Sequence, residues 1–334
     1  MQQGDKGLNT NDVSLAGSWM QVVVARKKAV ADDVMCFELR SPHGAQLPAF
    51  TAGAHIDVEL PNGMVRQYSL CNSPLEQERY QVGVLLAPAG RGGSRSAHAD
   101  LETGDSVRIS RPRNHFALVP ALHTILLGGG IGVTPLLSMA EHLTQTNASF
   151  ELHLCTRSKQ RTAFLDRLKE AAYAHRVHFH FDDGPPSQRL AAELLLSNAA
   201  QGSHVYVCGP SGFMDHVIQT AQALSWAQDR IHFEFFSAMP VVQGQDLSFE
   251  LQWAPTGQVV TVSADQTAAQ ALEANGIKVS LSCEQGICGS CTMRVLEGVP
   301  EHRDLFFSDE ERAANNRFTP CCSRALSRRL VIDI

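Results

Sequence analysis

Three cysteines in the run C-E-Q-G-I-C-G-S-C, namely Cys283, Cys288 and Cys291, limit what this chain can fold into more sharply than any other feature. A segment that sends three thiolates toward one point has to wrap around it. Its backbone must turn tightly and leave N–H groups facing inward. Gly286 and Gly289 stand inside the run, where they permit positive φ and a close main-chain approach. Of the nine cysteines, five crowd into the last 52 residues. The other four, Cys36, Cys71, Cys155 and Cys208, stand singly in apolar or strand-like stretches, where a buried thiol packs as a small hydrophobe. This spacing is too sparse for a disulfide scaffold. The cysteine chemistry is therefore confined to the C-terminal part.

The order C-x4-C-x2-C is that of plant-type [2Fe–2S] proteins, low-potential one-electron carriers near roughly −400 mV. The competing reading, a zinc site, prefers paired C-x2–4-C knuckles, and only one close pair exists here. A cluster needs a fourth thiolate, and Cys321 and Cys322 are adjacent candidates.

At 334 residues the chain exceeds one ordinary core, so two or three domains are expected. Its composition, 44% apolar and 19% charged, is that of a globular protein. A formal charge of −6 gives no basic footprint for nucleic acid. No apolar run approaches the roughly 18 residues of a membrane span. Residues 1–18 are polar, lack the apolar core of a secretory signal and are read as a disordered tail. A soluble, cytoplasmic protein is expected.

Three regions follow. Residues 19–119 carry six short β-branched segments broken by turn signals, the pattern of a small antiparallel β-barrel. Residues 120–237 alternate strands (from HTILLGG at 123–129) with helices expected near 161–175, 188–199 and 211–226, the rhythm of a doubly wound α/β domain. Residues 238–247 read as a linker, and 248–334 form the cysteine-bearing module.

Two sequences in the first region suit a phosphate-bearing ligand. In Arg66-Gln67-Tyr68-Ser69-Leu70, strand alternation puts Arg66, Tyr68 and Leu70 on one face and Ser69 on the other, a pattern that many ordinary strands share. The turn Gly90-Arg91-Gly92-Gly93-Ser94-Arg95-Ser96 has the glycines, hydroxyls and arginines of a phosphate nest, or else is a plain surface hairpin. In the second region Gly128-Gly129-Gly130-Ile131-Gly132-Val133-Thr134-Pro135 follows a strand and opens a helix, where free amides attract a pyrophosphate. Val133 occupies the third glycine place of G-x-G-x-x-G, which separates it from ordinary dehydrogenases. Cys208-Gly209-Pro210 ends another strand, and Arg157 and Ser158 follow the second one. An Arg there can accept a 2′-phosphate, and no acidic residue beside it selects NAD.

Taken in order, R-Q-Y-S-L, G-G-G-I-G-V-T-P, C-G-P and the cysteine loop resemble the phthalate dioxygenase reductase and vanillate demethylase reductase family, Rieske-oxygenase reductases within the ferredoxin–NADP reductase superfamily. The resemblance covers nearly all of the chain after residue 18, including Pro112-Arg113-Asn114-His115-Phe116 as the P-R-N-x-F joint. It implies a multidomain fold: an antiparallel flavin barrel, a nicotinamide-binding parallel sheet and an α+β β-grasp ferredoxin module. In the family the Tyr68 equivalent stacks on the isoalloxazine, Ser69 lies near flavin N5, and Arg66, with its planar fork of donors, neutralises the phosphate. Gly92, Gly93 and Ser94 belong to the phosphate turn. Gly129, Gly130, Gly132, Thr134 and Pro135 hold the dinucleotide, with Cys208, Gly209 and Pro210 at the nicotinamide end. No segment stands ready for an adenosine on the flavin, so FMN is expected over FAD. The resemblance favours NADH; Arg157 and Ser158 leave NADPH open. Cys321 is the expected fourth ligand, because 29 residues separate it from Cys291 and C-C-S-R resembles the family's C-V-S-R, with Cys322 in the Val place.

The implied activity is a relay from NADH through FMN and the cluster to a terminal Rieske oxygenase. The protein supplies alignment, so no general base is named, and His55, His98 and His115 are read as structural groups. A cytochrome P450 or other acceptor is the near alternative, and a flavin–cluster sensor without turnover the more distant one. The module 238–334 carries 12 acidic and 8 basic residues, a net −4 that suits a basic docking partner.

Overall fold

In the N-terminal third, alternation of apolar and polar residues sets the strands. Val22 and Val24 are fully buried while Gln21 between Met20 and Val22 is exposed. The computed structural model describes residues 19–236 and 246–333; the tail expected at 1–18 and the linker positions 237–245 lie outside them. Six antiparallel strands, β1 (Met20–Ala31), β2 (Val34–Arg40), β3 (His55–Glu59), β4 (Val65–Ser69), β5 (Tyr80–Leu85) and β6 (Ser106–Ile109), pair in the order β4-β3-β6-β1-β2-β5. A bridge from Leu70 to Val82 draws the two edges together and closes the barrel. Helix α1 (Gly93–Asp100) follows β5 directly.

The second unit is a parallel sheet of β7 (His123–Gly129), β8 (Phe150–Thr156), β9 (Val177–Phe181), β10 (Ser203–Gly209) and β11 (Ile231–Phe235), ordered β11-β10-β7-β8-β9. Its central strands read as continuous apolar runs because helices cover both faces. Those helices are α2 (Val133–Gln145), α3 (Leu165–Glu170), α4 (Ala192–Ser197) and α5 (Ser211–Ala223). Two are shorter than the sequence suggests. Phe164 takes a left-handed φ of 62° and delays the start of α3, and Pro185 and Pro186 hold a 3-10 turn ahead of α4.

The third unit is a mixed sheet with one principal helix. Strands β12 (Phe249–Trp253), β13 (Gln258–Val262), β14 (Met293–Glu297), β16 (Arg317–Phe318) and β18 (Arg329–Asp333) are ordered β13-β12-β18-β14-β16, and β15 (Pro300–Glu301) pairs with β17 (Arg324–Ala325). β12 and β18 run parallel while β12 and β13 form a hairpin, the β-grasp arrangement. Capping boxes start both helices, Thr267 with Gln270 for α6 (Ala268–Ala274) and Ser308 with Glu311 for α7 (Asp309–Ala313). The acidic run 309–311 is thus a solvated helix start.

The units are joined by shared packing. Val34, Cys36, Cys71 and Phe116 of the barrel share one core with Leu126 and Leu154 of the parallel sheet and Leu136 of α2. Tyr206 Oη accepts from the Val119 amide at 2.8 Å across that joint. No helix among the described residues is long and apolar enough to cross a membrane.

Candidate cofactor-binding site

All three units contribute to one cleft of about 260 Å³. The barrel brings Arg66, Tyr68, Ser69, Gly92, Gly93 and Ser94, the parallel sheet brings Thr134, Glu234 and Phe235, and the cysteine loop brings Cys283 and Gln285. Strand β4 lies at the end of the barrel order, so both of its faces can border the cleft, and Gln67 lines it together with its neighbours. Tyr68 packs against the barrel core, and burial pushes its phenol up to about 12. Arg66 lies over Gly93 so closely that a Cβ there would stand 2.9 Å from its side chain. Arg66 Nη1 donates to Glu284 Oε1 at 3.1 Å, and Arg91 Nη1 to Glu284 Oε2 at 2.6 Å. Two guanidinium groups against one carboxylate leave a net positive charge beside the start of α1, which suits a phosphate.

At the cysteine loop Gly286 and Gly289 adopt φ of 71° and 67°, as the turn requires. A Cβ on Gly289 would stand 2.2 Å from the Phe306 ring. The thiols fall into contact pairs. Cys283 and Cys288 are in contact, which raises the first thiol and lowers the second, and contact with Cys291 raises Cys321. The Gln285 amide points at Cys283 Sγ at 3.4 Å. Cys288, Cys291 and Cys321 are buried. Cys322 touches Cys321 and also Thr319 Oγ1 at 3.3 Å. Two contacting thiol pairs on one loop and its neighbour, with a main-chain N–H aimed at one sulfur, fit the donor set of a [2Fe–2S] cluster.

In the nucleotide unit the glycine turn is shaped by a backbone crossing. A Cβ on Gly132 would lie 2.1 Å from the Cys208 carbonyl oxygen. Gly129 and Gly209 pack on each other in the same way, and Pro210 borders them. Gly130, at φ 54°, has nothing within 4 Å of a Cβ and faces open space. Thr134 Oγ1 donates to the Ile131 carbonyl at 3.0 Å, and Pro135 is buried in the first turn of α2. Cys208 is fully buried beneath the cleft, pairing in register with Glu234. Arg157 (exposed) and Ser158 (half-buried) follow β8 and do not line the cleft.

Glu234, Phe235 and His55 were not singled out from sequence as site residues. Their signal was position: Glu234 and Phe235 end the last parallel strand, and ligands of open α/β sheets gather at such strand ends. Burial raises Glu234 to about 8, with the Ser69 hydroxyl hydrogen-bonded to it. Burial lowers His55 to about 3. At neutral pH both are uncharged, so their 3.9 Å approach is no ion pair.

A barrel, a parallel sheet with a glycine turn and a cysteine-looped β-grasp around one cleft define an NAD-linked flavin and iron–sulfur reductase. Family models match each part: an oxidoreductase FAD-binding domain over 21–118, an oxidoreductase NAD-binding domain over 126–219 and a 2Fe-2S iron-sulfur cluster binding domain over 251–326. The chain belongs to the vanillate O-demethylase oxidoreductase and phthalate dioxygenase reductase family. It is 50% identical over 316 residues to the vanillate O-demethylase oxidoreductase of Pseudomonas sp. (strain HR199 / DSM 7063), covering 94% of this chain and 100% of that one. The solved phthalate dioxygenase reductase, described as a modular structure for electron transfer from pyridine nucleotides to [2Fe-2S], is 37% identical with a TM-score of 0.76 over 95% of this chain and 98% of that one. An intact type IV self-sufficient cytochrome P450 monooxygenase matches 95% of this chain and 41% of its own length, at 36% identity and a TM-score of 0.81.

Proposed function

We propose that this chain is the NADH-dependent reductase component of a Rieske-type oxygenase, with FMN and a plant-type [2Fe–2S] cluster as its resident groups. The flavin supplies the step from two-electron to one-electron chemistry, and the cluster carries single electrons outward. The observation that carries the reading is the cleft itself: Ser69 and Tyr68 of the barrel and Cys283 of the cysteine loop border the same space.

Arg66 and the Gly92-Gly93-Ser94 turn would hold the flavin phosphate, Tyr68 would flank the ring, and Ser69 would sit by the reacting edge. Gly129, Gly130, Gly132, Thr134 and Pro135 would take the dinucleotide, Arg157 and Ser158 its adenosine end, and Cys208, Gly209 and Pro210 the nicotinamide end. Cys283, Cys288, Cys291 and Cys321 would be the four thiolate ligands; the Cys291–Cys321 contact supports that choice over Cys322. The units on this reading are 19–119, 120–237 and 248–334, with 238–247 as the linker, in a cytoplasmic protein. FMN is preferred because the phosphate turn runs directly into α1 and leaves no further segment for an adenosine.

The similarity to a self-sufficient P450 favours a second acceptor class, a P450 haem domain. The full-length match to a vanillate O-demethylase oxidoreductase outweighs it. The test is an anaerobic absorption spectrum before and after NADH, with the released flavin identified by mass. Flavin and broad cluster bands that both bleach, with FMN released, are the expected result. Flavin bleaching without cluster absorbance, even after iron reconstitution, would refute the relay. Transfer to a Rieske oxygenase, set against a P450 domain, then separates the acceptors.

A further inference from the structure

Four histidines and one glutamate gather on the parallel sheet, on the face covered by α4 and α5. Glu151 and His153 alternate along β8, and His178 and His180 along β9, with His153 directly opposite His178. Ile125 and Leu127, which pair with Glu151 and His153, place this group on the face turned away from the barrel. A cavity of about 540 Å³ lies beside them, lined by Glu151, His153 and His180 with Leu190, Leu194 and Leu195, while His178 stands at its edge outside the lining, and it shares no residue with the cofactor cleft.

A chain of hydrogen bonds orients the rings. The Gln188 carbonyl can only accept, so His180 Nδ1, 3.0 Å away, donates to it. His153 Nδ1 lies 3.0 Å from His180 Nε2, and this bond holds the His153 ring. That leaves His153 Nε2 as the ring atom facing the rest of the group. His153 is only 7% exposed, and this nitrogen has no hydrogen-bond partner. It faces Glu151 Oε2 at 3.1 Å. A metal ion held between a buried imidazole nitrogen and a carboxylate oxygen at this separation would satisfy both.

We propose that Glu151, His153 and His178 bind a divalent transition-metal ion of the zinc type. Two imidazole nitrogens and a carboxylate oxygen are a zinc donor set, and at bonds of about 2.0–2.1 Å tetrahedral ligands stand about 3.3 Å apart. The three donor atoms all lie within 4.8 Å of one another, and His178 Nε2 is 4.0 Å from Glu151 Oε2. His178 is half-exposed and stacks on the His153 ring at 4.6 Å, so binding requires its side chain to rotate to close that gap, and the cavity beside Glu151 and His153 admits a fourth ligand from solvent. His180 is a positioning residue that orients His153. His123, with Nε2 3.4 Å from Glu151 Oε1, steadies the carboxylate. Arg189, the cation lining the cavity, donates instead to the Asp182 carbonyl.

The test is calorimetric titration of the flavin- and cluster-loaded protein with zinc chloride, with cluster absorbance followed to confirm that iron keeps the cysteines. Wild type should bind one equivalent with a rise in Tm. His178→Ala and Glu151→Gln should lose the binding, and His180→Phe should weaken it roughly tenfold to hundredfold. His178 is exposed enough that its variant should fold, and unchanged NADH reduction of the flavin verifies this. Equal binding by His178→Ala would overturn the site. So would the absence of zinc binding by the wild-type protein.

Discussion

Glu234 and His55 show how burial at the cleft rewrites the chemistry of single side chains. Glu234 rises from 4.5 to about 8, and His55 falls from 6.5 to about 3. The unfolded chain releases the Glu234 proton near pH 4.5, while the folded chain keeps it to about 8, so this group lowers stability as pH rises through that window. His55 acts in the opposite sense, since the unfolded chain gains a proton below 6.5 that the folded chain refuses until about 3. The two slopes oppose each other between pH 4.5 and 6.5. The difference between denaturant melts at pH 6.5 and 8 should shift by about 2 kcal/mol in Glu234→Gln, toward greater stability at the higher pH, at about 1.4 kcal/mol per unit. An unchanged difference in the variant would assign the slope to other groups. Among the thiols, Cys321→Ser should abolish the cluster absorbance while Cys322→Ser keeps it, because Cys322 shares its contacts with Thr319. The reverse outcome would exchange their roles. Both thiols of the adjacent pair border the loop, Cys321 in contact with Cys291 and Cys322 packed on Gly286, so the sequence spacing and the family resemblance are what favour Cys321.

At the level of elements, the cysteine loop and the barrel are clasped together. Glu284, the residue after Cys283, takes both Arg66 and Arg91. Ser282 Oγ, on the other side of Cys283, donates to Asp57 Oδ1 of β3 at 2.6 Å, and Arg113 of the 112–116 joint holds the other oxygen of Asp57. Glu284→Gln should leave NADH reduction of the flavin unchanged and slow flavin-to-cluster transfer. Half-exposed pairs contribute up to about 1 kcal/mol, so the slowing should be up to about fivefold. Stopped-flow traces with no change in the second phase would show that Ser282–Asp57 suffices. The pairings of Glu284 and Ser282 link positions more than 190 apart in sequence, with no local signal. Elements with a strong local signal were legible: the strand HTILLGG became β7 with the same bounds. The helices expected near 161–175 and 188–199 were not, because Phe164 and the Pro185-Pro186 pair interrupt patterns that periodicity alone would continue.

For the whole molecule, charge and connectivity meet at the exit of the relay. The module 238–334 carries −4 of the chain's −6, and acidic docking on a basic acceptor is screened within about 10 Å at 0.1 M salt. The rate of transfer to the oxygenase should fall as salt rises from low to physiological strength, while NADH reduction of the flavin holds steady. A flat profile would exclude electrostatic docking. The sequence by itself determined the three-part order, the strand patterns and the cysteine loop, because these rest on spacing and periodicity within a few residues. Gly132 was legible as a glycine-turn residue, but the crossing of its backbone against the Cys208 carbonyl was not. Tertiary structure alone decided that Cys283, Ser69 and Glu234 border one cleft and that four histidines gather around Glu151. Burial, the convergence of ligand atoms and the charge balance at Arg66 depend on atoms brought together from distant segments, and no local pattern encodes such distances.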